Sequence, residues 1–263
     1  MALPVPAAGD EPLNPSSALY WLPRLEALQR RELDVGLPLL ANLPRTVIVP
    51  YSHREAVNAL EGEGQGGFPA AAMQAACRTI GYPVFLRTDL ASAKHDGPQA
   101  YRADNWEQVA DRYWRTVEDN EGKFWLEPAG GPTAFLVREW LDLDGTFHAF
   151  GGHLIAREHR LFAAPDGVRC HHFYWPAESI ERPDTPDWLN LLQSLSIIPS
   201  RDLVDLGITA QAASAACGAA PEWSVDFAAV RKGPWPWYLT DMATAARSFH
   251  DPRCERARSE APP

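Results

Sequence analysis

Two aspartates interrupt apolar segments near the C-terminal end of the chain: Asp226 in "WSVDFA" and Asp241 in "YLTDMA". The midpoint between them falls between Gly233 and Pro234, inside the "RKGPWP" turn. A symmetric antiparallel hairpin centred there sets the two residues opposite each other, with Cβ atoms roughly 5 Å apart. At 4 Å and an effective dielectric near 20, two carboxylates repel by about 4 kcal/mol. A positive partner is therefore expected, and Mg²⁺ suits a site made of oxygens. The other reading is an asymmetric loop that turns one aspartate to water, since a one-residue slip reverses its face.

Three other stretches bring charge to strand ends. In "PVFLRTDLASAKHDG", Arg87 lies in a strand and Lys94 in the loop after it. The pair suits phosphate oxygens, Arg as a fork and Lys as a point charge. Taken alone, the stretch reads first as a solvated loop with an Arg87–Asp89 salt bridge. In "FLVREW", Arg138 and Glu139 follow three apolar residues, either as a strand leaving the core at a ligand cleft or as an ordinary strand end with a surface ion pair. In "AREHR", Glu158 and Arg160 share a strand face and Arg157 takes the other. A structural ion pair and a ligand contact are both open there. Cys170, His171 and His172 are adjacent in "CHHFYW", which points them to alternate faces and makes poor geometry for one zinc. The chain carries no nucleophile elbow, HExxH or Rossmann fingerprint.

The elements that must position these groups follow from spacing. Helices are expected over 16–32 (interrupted or kinked at Pro23), 52–63 with Ser52 and Glu55 as a capping box, 69–81, 104–122 with Asp104 and Glu107 as a capping box, 186–194 and 201–217. Strands are expected over 44–51, 82–89, 133–143, 167–175, 222–230 and 236–243, with a hairpin over 145–163 broken at Gly151-Gly152. The order is mixed α/β first and antiparallel sheet later. It implies an α+β protein of two lobes: a loose N-terminus over 1–16, a first lobe over 17–134, a second lobe with the metal site over 135–250, and a loose tail over 251–263.

The 263 residues suffice for a substantial core, and 46% hydrophobic with 22% charged residues is ordinary for a globular chain. A net charge of −10 argues against a nucleic-acid coat. No apolar run has the length of a membrane span, no secretory signal opens the sequence, and four unpaired-looking cysteines suit a reduced, cytoplasmic setting. Some of the ten tryptophans are candidates for lining a groove around a planar ligand.

The order of these motifs resembles the ATP-grasp superfamily. The resemblance runs from "YWLPRL" to "SFH" and is nearest to poorly characterised ATP-grasp-like proteins of phages and bacteria, through "PVFLRTDLASAKH", "VREW", "AREHRLF", "CHHFYWP", "WSVDFA" and "DMA". It implies an ATP-grasp-like fold with a nucleotide cleft between two lobes. It implies ATP- and Mg²⁺-dependent ligation of a carboxylate to an amine or thiol, with an unidentified small-molecule or peptide acceptor. By position, Arg87 and Lys94 would bind phosphates, and Glu139 and the Trp140 backbone would meet adenine or ribose. Arg157 and Arg160 would face the γ-phosphate or acyl phosphate, oriented by Glu158. Asp226 and Asp241 would bind Mg²⁺. The chain departs from the pattern at Ala243, where many of these enzymes carry a metal-binding Asn; Ser248 or water would fill that place, or one metal only would bind. The alternative that this departure opens is a nucleotide-binding module without ligase activity.

Overall fold

The structure is a computed structural model and describes residues 14–34, 42–63, 66–91, 97–124, 131–232, 236–252 and 254. In chain order, α1 (Ala18–Asp34) leads to β1 (Thr46–Pro50), α2 (His53–Leu60), α3 (Ala70–Ile80) and β2 (Val84–Thr88). Then come α4 (Pro98–Tyr101), the two-residue β3 (Arg102–Ala103), α5 (Trp106–Phe124) and β4 (Ala134–Glu139). These four strands make one antiparallel sheet, ordered β1-β4-β2-β3.

β5 (Gly145–Ala149) and β6 (His153–Ala156) form a separate hairpin. The break falls at the glycines, as the sequence suggests, with Phe150, Gly151 and Gly152 all at positive φ. β7 (Glu158–Ala164), β8 (Gly167–Phe173), α6 (Trp188–Ser196) and α7 (Ser200–Cys217) precede β9 (Trp223–Ala229) and β10 (Trp237–Thr244). The second large sheet is also antiparallel, ordered β10-β9-β7-β8. The expected α+β class with antiparallel sheet in the later half is what the chain adopts.

Strand parity decides which groups meet the cores. Val84 and Leu86 of β2, with Phe135 and Val137 of β4, face a core built with Met73 and Cys77 of α3 and Val109, Tyr113 and Val117 of α5. The alternate residues Arg87 and Arg138 therefore face away from that core. In the second sheet, Leu161 of β7, Val225 and Phe227 of β9 and Leu239 of β10 pack on Trp21 and Leu22 of α1 and on Leu206 and Ala210 of α7. The alternate residues Glu158, Arg160, Asp226 and Ala228 take the other face.

Two local expectations are adjusted. α1 runs past Pro23 as one helix, and Arg24 donates to the Tyr20 carbonyl, 2.5 Å away. The cap of α5 sits one residue later than Asp104 and Glu107. Asn105 Oδ1 accepts from the Gln108 amide at 3.2 Å, while Gln108 Oε1 accepts from the Asp104 amide at 2.8 Å. The Ser52 cap forms as expected, accepting from the Glu55 amide. Among the described residues, no helix is long and apolar enough to cross a membrane.

Candidate functional site

Asp241 lies directly opposite Asp226, as the hairpin argument requires, although by a different route. Near the turn the ladder pairs Trp237 with Ala229 and Leu239 with Phe227; continued regularly, it would set Thr240 against Asp226. A bulge between Leu239 and Asp241 takes up one residue and brings Asp241 into place. The bulge is held from both sides. Arg138 Nη1 donates to the Thr240 carbonyl at 2.7 Å, and the Thr240 hydroxyl donates to the Asp226 carbonyl at 3.2 Å.

The positive charge that the aspartates need is supplied by arginines. Arg160 on β7 pairs in register with Asp226 and grips it as a fork, Nε to Oδ1 at 2.7 Å and Nη2 to Oδ2 at 2.8 Å. Arg87, reaching over from the first sheet, donates from Nη1 to Asp241 Oδ2 at 2.7 Å. Asp241, Asp226, Arg160 and His172 thus form a row across four strands. Burial alone would lower the Arg160 pKa, but the Asp226 carboxylate outweighs it and holds the guanidinium above its ordinary range.

Between the sheets lies a cleft of about 280 Å³. Arg87, Arg138, Glu139, Trp140, Asp226 and Asp241 all line it. Arg138 is 4% exposed. Its Nε donates to the Thr46 hydroxyl, yet its Nη2 has no hydrogen-bond partner. Burial, then the neighbouring Arg87 cation, depress its pKa to about 10, so it stays charged at neutral pH. Two adjacent buried cations, one with an unfilled donor, make a position for an anionic group. At the outer end, Trp140 stacks on Tyr101 with planes 11° apart, and the Arg102 guanidinium lies 4.6 Å from the Trp140 ring. Tyr101 also hydrogen-bonds His153 Nδ1, which fixes the Tyr101 ring. This end offers flat apolar surface to a ring system.

The remaining expected residues fall out as follows. Glu139 lines the cleft and binds Arg45, accepting from its backbone amide and from its Nε, each at 2.9 Å. Glu158 lines it too, buried, accepting from Trp175 Nε1. Arg160 stands beyond the lining and reaches it through Asp226. Arg157 is not brought there, because the adjacent strand position faces the opposite way. Its Nε binds Asp144 at 3.0 Å and its Nη1 caps the end of α6 at the Ser194, Leu195 and Ile197 carbonyls. Lys94, with His95 and Asp96, lies outside the described residues.

Arg87 does not pair with Asp89, so the salt-bridged-loop reading gives way. Asp89 instead accepts from the Ser17 hydroxyl at 2.6 Å and from the Thr133 and Ala134 amides. Sequence reading noted Arg138 in "FLVREW" as a charge where a strand leaves the core, but assigned the ligand role there to Glu139 and Trp140 and none to Arg138. Tyr101, in "GPQAYR", carries no comparable signal.

The fold resembles that of the ATP-grasp superfamily. A C-terminally truncated Cdc123 from Schizosaccharomyces pombe matches with a TM-score of 0.52 and 11% identity, over 88% of this chain and 83% of that one. Biotin carboxylase from Campylobacter jejuni in its β-γ-ATP complex gives a TM-score of 0.48 and 12% identity, over 90% of this chain and 44% of that one. D-alanine–D-alanine ligase from Bacillus anthracis complexed with ATP gives 0.45 and 7%, over 86% and 52%. The chain thus spans about half the length of those two enzymes. No family model and no curated protein sequence matches the chain.

Proposed function

We propose that the chain binds ATP with Mg²⁺ in the cleft between its sheets and acts as an ATP-grasp ligase, activating a carboxylate as an acyl phosphate for attack by an amine or thiol. The observation that carries this reading is the buried Arg87–Arg138 pair, with its unfilled Nη2 donor, facing two opposed aspartates in one cleft. In it, Arg87 and Arg138 hold phosphate oxygens, with Lys94 as a further candidate. Trp140 and Tyr101 flank the base, and Glu139 meets adenine or ribose. Arg160, expected at the transferring phosphoryl group, acts through Asp226, which it holds and orients from behind the cleft. The acceptor is a small molecule or peptide.

The donor set suits Mg²⁺. Five carboxyl groups line the cleft against three guanidiniums among the described residues, so a nucleotide polyphosphate needs a cation to enter. Asp226 and Asp241 would hold the metal. Their hydrogen bonds to arginine use one lone pair per oxygen and leave others for a hard cation. When bound, Mg²⁺ supplies charge neutralisation at the phosphates. The bodies that enclose the nucleotide would be built on the two sheets, with β4 in the first and α1 packed on the second, rather than divided between 17–134 and 135–250 as expected from the sequence.

A second reading, a nucleotide-binding module without ligase activity, is favoured by Ala243 at the usual Asn position and by the ion pairing of both aspartates. ATP titration with and without Mg²⁺, followed by ADP release in the presence of candidate acids and amines, separates the two. Saturable Mg²⁺-dependent binding with acceptor-dependent ADP release is expected. Binding without release selects the module; no binding removes both.

A further inference from the structure

The adjacent Cys170, His171 and His172 cannot share a metal, but the fold gives Cys170 other company. β8 and the segment after β10 bring together Cys170 Sγ, a ring nitrogen of His250 and Cys254 Sγ, all within 4.8 Å of one another. Cys170 Sγ lies 2.9 Å from His250 Nε2. We propose that Cys170, His250 and Cys254 form a binding site for a soft divalent cation of the zinc type, separate from the cleft.

The chemistry selects the ion. Two thiolates and an imidazole are soft or borderline donors that favour zinc over magnesium. A tetrahedral zinc with Zn–S near 2.3 Å and Zn–N near 2.0 Å sets its ligand atoms about 3.5–3.8 Å apart. The Cys170–His250 separation of 2.9 Å is shorter than that range and every pair lies within 4.8 Å, so sub-ångström to ångström adjustments complete the site. Each residue is half-buried, which leaves an entry path. Three protein ligands leave a fourth position for water.

The supporting shell is already in place. The His250 ring stacks on Phe162, with centroids 4.2 Å apart and planes at 21°, and lies parallel to His172 at 5.9 Å. That packing fixes which ring nitrogen points at Cys170. The Cys254 amide donates to the Asp251 carbonyl, closing the turn that returns Cys254 toward Cys170. Arg160 Nη1 donates to the Phe249 carbonyl at 3.2 Å. The ion would therefore pin the segment after β10 beside the arginine that grips Asp226. Binding releases the thiol protons to solvent, so affinity falls as pH falls.

The test uses the full chain, reduced with a phosphine and stripped with a chelator. Zn²⁺ is titrated against a chromophoric competitor, and Co²⁺ is used as a spectroscopic probe. About one equivalent of Zn²⁺ is expected, together with a thiolate-to-cobalt charge-transfer band and ligand-field bands of tetrahedral intensity. Cys170→Ser and Cys254→Ser should each weaken Zn²⁺ by at least about tenfold and diminish the band. His171→Ala, on the other face of β8, should change neither. Absence of saturable binding by the wild-type chain overturns the proposal. So do cobalt bands that persist unchanged in Cys170→Ser, or a Cys170–Cys254 disulfide that forms in the stripped protein and survives the reductant.

Discussion

Arg138 and Asp226 are both buried charges at the cleft, but only Asp226 has its charge fully paired. The difference predicts unequal losses. Arg138→Met removes a cation whose Nη2 donor is unfilled but also takes a donor from the Thr240 carbonyl and the Thr46 hydroxyl, so urea denaturation should find a loss of no more than about 1–2 kcal/mol. ATP affinity, measured by calorimetric titration, should fall by about 10- to 100-fold, the worth of one charge-assisted hydrogen bond. Undiminished affinity would remove Arg138 from the site. Asp226→Asn strands Arg160, which is 13% exposed, and should cost about 3–5 kcal/mol. Replacing both as Asp226→Leu/Arg160→Met should recover most of that stability while Mg²⁺-dependent binding stays lost. Recovery of both would make the pair structural. The opposition of Asp226 and Asp241 was expected from a symmetric hairpin, but it is reached only through the bulge at Thr240, because the register at the turn would set Thr240 against Asp226. Their arginine partners were not legible in the sequence, because Arg87 lies 154 positions from Asp241 and no local period links them.

Elements meet the site through a few joints, of which Asp89 is the busiest. Its carboxylate accepts from Ser17 at the start of α1 and from the amides of Thr133 and Ala134 at the start of β4. One buried side chain thus ties α1, which packs on the second sheet, to the first sheet. Asp89→Ala leaves two amides and a hydroxyl without their acceptor, and a loss of about 2–4 kcal/mol is expected from urea midpoints. A change below about 0.5 kcal/mol would show the joint is dispensable. Element types and order were readable because alternation and helical spacing are local. The bulge at Thr240 was not, since nothing in "WYLTDMA" sets it apart from a regular strand; what holds it is Arg138 of β4, from another part of the chain. The α5 cap moved by one residue for a related reason: Asp104 and Asn105 are both good caps, and the side chain of Gln108 selected Asn105.

For the molecule as a whole, the α+β class followed from the order of periodic segments and the cleft between two lobes from the resemblance, while which charges meet in that cleft needed three dimensions. Burial on the face of the second sheet turned away from the cleft makes folding sensitive to acid. His159 on β7 is 1% exposed, packed by Phe173 and Trp237 with His171 nearby. Burial, then the charges of His171, Arg157 and His172, depress its pKa to about 4. In the unfolded chain a histidine titrates near about 6.5. Between these values the unfolded state holds a proton that the folded state lacks, so stability rises with pH across the window. The contribution is fully present above about pH 6.5, falls as pH drops toward 4, and is on the order of 3 kcal/mol. Burial lowers the His171 and His172 pKa values as well, which adds to the same sign. Urea midpoints taken from pH 7.5 down to 4.5, with chelator present to keep Cys170 metal-free, should fall more steeply for wild type than for His159→Leu. The slope difference should approach about 1.4 kcal/mol per pH unit within the window, the value for one proton. Equal slopes would mean that His159 titrates alike in both states and that the acid sensitivity lies elsewhere.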